Sequence, residues 1–274
     1  MRDRTLLTLA AGGAAAAGLG AVLRGMLHGV DDLRLERTTL PLRDWPEALR
    51  GLRIAVLADL HVGGEWSLRR ARRAVEMAIE AKPDFVALVG DYVNVWQPGS
   101  PRWVGEALAP LRAMSGAVIA VPGNHDYHHG DPELLRPILD ELDIALLRNE
   151  SLSLGGVTWV GVDSAIERRA RPEEAMRGVA GPAVCLWHEP DVVAELPAGC
   201  ALMLSGHAHG GQGRLFGRFK PVKTKLGSKY VDGFFPAAPT PLYVSRGVGT
   251  TLFPTRIDVP PEVSLLTLVP QKAF

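Results

Sequence analysis

Three apolar runs, LRIAVLADLH (52–61), DFVALVGD (84–91) and GAVIAVPGN (116–124), recur at intervals of about 30 residues with helix-patterned stretches between them. This alternation constrains the chain to parallel strands joined by helical crossovers, an α/β architecture. The apolar spacing predicts helices over 67–82, with Ser67 as a plausible cap, and near 102–113. A third is expected near 131–142, where Pro137 should kink it or delay its start. The second half departs from this rhythm. SLSLGGVTWVGVD reads as a hairpin turning at Gly155 and Gly156, AVCLWHEPD and ALMLSGHAHG read as buried strands, and PLYVSRGVG and EVSLLTLVP close the chain. From Val30 to Arg50, Pro41 and Pro46 interrupt any regular element, so 31–50 is expected to be a lead-in to a single domain over 51–274.

A chain of 274 residues can bury a large core, and its 47% hydrophobic and 22% charged content is that of a folded globular protein. Its 30 basic residues balance 30 acidic ones, which argues against a broad nucleic-acid-binding surface. Cys185 and Cys200 lie in apolar stretches without metal-knuckle spacing and are expected to be two buried thiols.

The start of the chain has its own character. Leu6 to Leu23 carries no charge and follows Arg2 and Arg4, so 1–30 reads as a signal peptide or an N-terminal membrane anchor. As a helix it would reach about 27 Å, slightly less than a bilayer's apolar core. Positive residues retained inside would deliver the remainder across the membrane.

Five of the apolar strands end alike. VLADLH gives Asp59 and His61, LVGDYVN gives Asp91, and VPGNHD gives Asn124, His125 and Asp126; LWHEPD gives His188, and LSGHAHG gives His207 and His209. Strand C-termini of α/β sheets form one edge, so these side chains should converge. Carboxylates, one amide and several imidazoles without a thiolate suit divalent ions such as Mn, Fe, Zn or Co, and two ions bridged by one carboxylate would use the whole set. The ionised aspartates and a bridging hydroxide leave such a pair with residual positive charge, which favours an anionic phosphate ester. Glycines before Asp91, Asn124 and His207 fit a chain that needs unusual backbone angles and close approach.

At these residues the sequence resembles the calcineurin-like metallophosphoesterase family, whose pattern runs D-x-H, G-D, G-N-H-D/E, H and G-H-x-H, over roughly Leu52 to Pro254. The resemblance implies a four-layer α/β/β/α sandwich of two mixed β-sheets flanked by helices. It implies that Asp59, His61, Asp91 and His209 hold one ion, and Asp91, Asn124, His188 and His207 the other, with Asp91 as the bridge. The implied chemistry is in-line attack on phosphorus by hydroxide activated at the metals. His125 would then stabilise or protonate the leaving group, and Asp126 would orient that imidazole, face solvent or cap the following turn. The N-terminal segment, LLRNE, HEPD and SRGVGT are similar to the bacterial YaeI/YkuE-type branch, whose members are membrane-associated or exported phosphohydrolases. Some resemble enzymes that cleave the pyrophosphate of UDP-diacylglucosamine. The twin-arginine export signal of some members is broken here by Asp3.

The expected substrate is therefore a phosphodiester or pyrophosphate-containing small molecule or lipid, handled on the extracytoplasmic side. A nuclease of the same fold and a non-catalytic metal-supported binding module are the alternatives. Arg214 to Lys229 holds six basic residues and no acidic one, so Arg214 and Lys220 are candidates for substrate or membrane contact, with a solvated loop as the alternative. Arg246, just before Gly247 in SRGVGT, could reach a phosphate or form an ion pair. Trp96 and Trp103 could cover the site or pack in the core.

Overall fold

A computed structural model of the protein describes residues 29–213, 224–251 and 255–271, together with Gly20. The N-terminal apolar segment, Arg214 and Lys220 lie outside the described residues. Two six-stranded sheets face one another. In the first, the order is β1 (Arg34–Leu42), β12 (Glu262–Pro270), β2 (Leu52–Leu57), β3 (Phe85–Val89), β4 (Val118–Val121) and β5 (Ile144–Leu146). In the second it is β10 (Gly233–Phe235), β11 (Leu242–Val244), β9 (Leu202–Ser205), β8 (Ala183–Trp187), β7 (Val157–Val162) and β6 (Glu150–Leu154). Both are mixed: β2 to β5 run parallel while β12 opposes β2, and β7, β8, β9 and β11 run parallel while β6 opposes β7 and β10 opposes β11.

The strands are apolar on both faces because each face meets a different layer. Along β2, Ile54 and Val56 point between the sheets to meet Trp159, Leu186 and Leu204. Ala55 and Leu57 point the other way, toward Leu68, Ala71 and Val75 of α1 (Glu65–Glu80) and Leu108 of α2 (Ser100–Leu108). The outer face of the second sheet is covered more thinly, by the short α4 (Pro172–Ala175) and the 3-10 turn Pro190–Glu195, over Val160, Trp187 and Met203. This is the expected four-layer sandwich, with a short helical layer on one side.

Several local expectations shift. The helix expected from 67 starts earlier, at Glu65, with Gly64 as its cap; Ser67 Oγ instead accepts Gly63 N–H and donates to the Gly64 carbonyl inside the first turn. The third helix begins as a 3-10 turn, Pro132–Leu135, and becomes α3 (Arg136–Glu141) with Pro137 in its first turn, where the missing N–H has no intrahelical partner to lose. The hairpin turns at Gly155 and Gly156 as read. Residues 34–42 are not a mere lead-in: they form β1, parallel to β12 at the edge of the first sheet. Pro41 sits near its end on that edge, the position in a sheet that tolerates a missing donor. Trp96 and Trp103 pack with the helix-side core, and Trp96 Nε1 donates to the Asp126 carbonyl at 2.6 Å.

Candidate metal centre

The candidate ligands leave the C-terminal ends of parallel strands of both sheets: Asp59 and His61 after β2, Asp91 after β3, Asn124 after β4, His188 after β8, and His207 and His209 after β9. Cross-links between loops set their spacing. Asp59 N–H donates to the Gly90 carbonyl at 3.0 Å, and His61 N–H to that of Asp91 at 3.0 Å. Gly90 adopts a φ of 79°, and a Cβ on Gly206 would lie 2.5 Å from Asp59 Oδ2, so these two glycines meet the expectation of unusual angles and close approach. Asp59, His61, Asp91, His207 and His209 themselves have positive φ, between 46° and 67°. Left-handed backbone costs about 1–2 kcal/mol per non-glycine residue. Its recurrence at five ligand candidates marks a site held by its surroundings rather than by local preference.

The side chains converge in three groups, Asp59/His61/His209, His61/Asp91/His125 and Asp91/His188/His207, whose potential ligand atoms lie within 4.8 Å of one another. His61 Nε2 is 3.2 Å from His209 Nε2 and 3.5 Å from Asp91 Oδ2. His209 Nε2 is 3.3 Å from Asp59 Oδ1, and His188 Nε2 is 3.2 Å from Asp91 Oδ2. Ligands about 2.1 Å from a tetrahedral ion are roughly 3.4 Å apart, so this spacing fits a shared cation.

Hydrogen bonding elsewhere decides which ring nitrogen faces inward. His188 Nδ1 donates to the Val89 carbonyl at 2.7 Å and leaves Nε2 toward the centre. His207 uses the opposite nitrogen: Nε2 donates to the Lys225 carbonyl at 2.7 Å, leaving Nδ1. The buried Asn124 Oδ1 has no hydrogen-bond partner among the described residues, and His188 Nε2 faces the Asp91 and Asp59 carboxylates. A buried polar atom is seldom left this way, and this donor set suits a divalent cation. The residues present thus fit the dinuclear assignment, with Asp91 common to two of the three groups.

Electrostatics agree. Burial pushes the Asp59 carboxyl up to about 7, against the favourable charge of His188. Asp91 is buried too, yet His188, His61 and His125 hold it well below the usual carboxylate range. His188 is raised despite its burial because Asp91 and Asp59 face it, whereas burial drives His61 down to about 3. Two buried carboxylates sharing one imidazolium is the charge pattern that divalent ions would complete.

Other candidates are placed differently. His125 Nδ1 donates to the Asn94 carbonyl at 2.8 Å, so Nε2 is the nitrogen left for chemistry. Asp126 neither faces solvent nor orients that imidazole: its fully buried carboxylate accepts N–H groups of Asp91, Tyr92, Gly123 and, at 3.3 Å, Val93. It clasps the Asp91 loop to the Asn124 loop. Arg246 is not available to a phosphate, because its Nη2 lies 2.7 Å from both Glu36 Oε1 and buried Glu262 Oε2. The SRGVGT loop serves the centre through its backbone instead, Gly249 N–H donating to the Asp59 carbonyl at 2.6 Å. His128 packs against His125, ring centroids 4.4 Å apart.

Arg256 had no motif to announce it. It is 1% exposed and donates to the carbonyls of Arg246, Gly247 and Gly249, with Nη2 3.4 Å from His209 Nδ1. It braces that loop behind the first ligand group.

The fold and this centre define a metal-dependent phosphoester hydrolase. A family model described as calcineurin-like phosphoesterase matches residues 52–211, and the chain belongs to that family. An uncharacterized metallophosphoesterase of Helicobacter pylori is 31% identical over 265 residues, covering 92% of this chain and 68% of that protein. Phosphodiesterase YaeI of Escherichia coli is 33% identical over 79% of this chain and 82% of its own length. The metallophosphoesterase YkuE of Bacillus subtilis is 25% identical over 81% of each. The family uses a dinuclear divalent metal site, and the clustered Asp and His residues here could hold one.

Proposed function

We propose that this chain hydrolyses a phosphodiester or pyrophosphate bond of a small molecule or lipid-linked substrate, such as a phospholipid or a UDP-diacylglucosamine-like compound. The observation that carries the reading is the sharing of Asp91 between ligand groups from both sheets. Asp59, His61, Asp91 and His209 are assigned to one ion, and Asp91, Asn124, His188 and His207 to the second. When bound, such a pair supplies Lewis-acid stabilisation of the phosphoryl oxygens and a nucleophile at neutral pH. The protein's part is to hold phosphorus in line and to manage protons. His125 has its Nδ1 tied to Asn94, so Nε2 is presented from a fixed ring to the leaving oxygen. The name of the relative YaeI supports diester substrates.

We place the activity on the extracytoplasmic side of a bacterial membrane, supported by the uncharged Leu6–Leu23 stretch after Arg2 and Arg4. Among the described residues no helix is long and apolar enough to cross a membrane.

The test is hydrolysis of bis(p-nitrophenyl) phosphate with added Mn²⁺, wild type beside Asn124→Ala. Turnover in the wild type that falls by about 100-fold or more in the variant is expected. Equal silence of both with Mn²⁺, Fe²⁺, Zn²⁺ and Co²⁺ would favour a binding module.

A further inference from the structure

His188 is followed by Glu189, Pro190 and Asp191, and the metal centre uses only the histidine of this HEPD run. Pro190 opens the 3-10 turn Pro190–Glu195, and the two acids on either side of it reach different neighbours. Glu189 is fully buried and accepts Ser164 Oγ at 2.5 Å and the N–H groups of Ala165 and Ile166 at 3.2 and 3.3 Å. It fixes the loop after β7. Asp191 holds another segment, and that one touches a ligand candidate.

Asp191 Oδ2 accepts the Ser228 N–H at 2.9 Å, Oδ1 accepts that of Tyr230 at 3.0 Å, and the Lys229 N–H lies 3.1 Å from both oxygens. The Asp191 N–H in turn donates to the Leu226 carbonyl at 3.0 Å. Residues 224–232 contain no helix or strand, so no ladder of their own holds them. The carbonyl just before Leu226, that of Lys225, accepts His207 Nε2 at 2.7 Å. The same segment lies against the ring, since a Cβ on Gly227 would come 2.9 Å from His207 Cδ2. The acceptor on the outer nitrogen of a metal-binding histidine fixes its tautomer and ring orientation. His188 has its acceptor, the Val89 carbonyl, at the end of β3, where the sheet holds it. His207 depends on irregular chain, and the bonds of an anionic carboxylate to amides are strong enough to fix such chain.

We infer that Asp191 is a positioning residue for the second ion: its clasp on 226–230 sets the Lys225 carbonyl, which keeps His207 Nδ1 directed at the centre. The inference rests on the assignment of His207 to that ion. Asp191 acts only through His207, because both of its oxygens are taken by backbone amides.

The test is calorimetric titration of the full-length chain with Mn²⁺, alongside bis(p-nitrophenyl) phosphate turnover. Asp191→Ala is expected to weaken one of the two Mn²⁺ steps by about 10–100-fold and to leave the other within about twofold. Asp191→Asn should weaken it less, since its amide oxygen still accepts, and it carries the comparison should the alanine variant not fold. Glu195→Gln, in the same 3-10 turn but outside the clasp, should change neither step. In a His207→Ala background, Asp191→Ala should alter Mn²⁺ affinity by less than about twofold, because two residues serving one contact are not additive. Ring ¹⁵N spectra of the Zn²⁺-loaded chain should show His207 with the metal on Nδ1 and a proton on Nε2, a signature that Asp191→Ala loses while His188 keeps its own. Unchanged Mn²⁺ affinity in Asp191→Ala, equal weakening of both steps, or losses that add in the His207→Ala background overturn the inference and leave the centre standing. A wild type that takes up neither metal overturns the centre and the clasp together. Two bound ions with the expected Asp191 dependence but no turnover sink the hydrolase reading alone.

Discussion

Both oxygens of the Asp59 carboxylate lie 3.1 Å from the backbone N–H of His207, which they accept across 148 positions of sequence. The bond joins the end of β2 in the first sheet to the end of β9 in the second. The candidate ligand groups consequently depend on the two sheets being packed, and a change that separates the sheets dismantles them.

Metal binding should expel protons. Asp59 is raised to about 7, chiefly by burial, and His188 is raised by Asp91 and Asp59 in spite of burial. In the metal-free protein at pH 6 these groups retain protons that ligation must remove, so affinity falls as pH drops below about 7. Mn²⁺ titration in buffers of different ionisation enthalpy should give about one proton or more released per chain at pH 6, and fewer at pH 8.5. An affinity flat from pH 5.5 to 8 contradicts the assignment.

His125→Asn should keep its metal and lose turnover. General acid assistance contributes about 10²–10⁴-fold, so kcat for a diester with an alkoxide leaving group should drop within that range. The loss should be smaller for a p-nitrophenolate leaving group, which needs no proton. Equal losses for both leaving groups would place His125 among the ligands instead.

Asp126→Ala should act on the frame. Removing the carboxylate leaves amides of Asp91, Tyr92 and Gly123 without their acceptor in a buried place. A loss of about 3 kcal/mol or more in denaturant unfolding is expected, with a smaller loss for Asp126→Asn. Unchanged stability with reduced kcat would restore a direct catalytic role.

Arg246→Gln should cost about 3 kcal/mol of stability, because buried Glu262 loses its partner, while KM for bis(p-nitrophenyl) phosphate stays within about twofold. A large rise in KM without destabilisation would return Arg246 to the substrate.

The clustering of the candidate ligands was legible because each ends an apolar run, and strand ends of a parallel sheet gather on one edge whatever the intervening sequence. β1 was not, since RLERTTLPL buries only Leu40 and Leu42 fully and carries a proline that an edge strand accommodates. The roles of Asp126 and Arg256 escaped for another reason: their partners are backbone amides and carbonyls, which leave no mark in residue identity. Arg246 misled because a guanidinium in a glycine-rich loop looks equally free whether its carboxylates are near or absent. Glu36 and Glu262, which hold it, come from β1 and β12 at opposite ends of the chain.

The central claim is that residues from both sheets hold a pair of cations bridged by Asp91. Its most direct measurement is metal content by mass spectrometry after equilibrium dialysis against Mn²⁺, for wild type and Asp91→Ala. About two ions per chain in the wild type, falling to about one or none in the variant together with loss of phosphodiesterase activity, is predicted. A wild type that retains no metal, or an Asp91→Ala chain that still holds two ions, would contradict it.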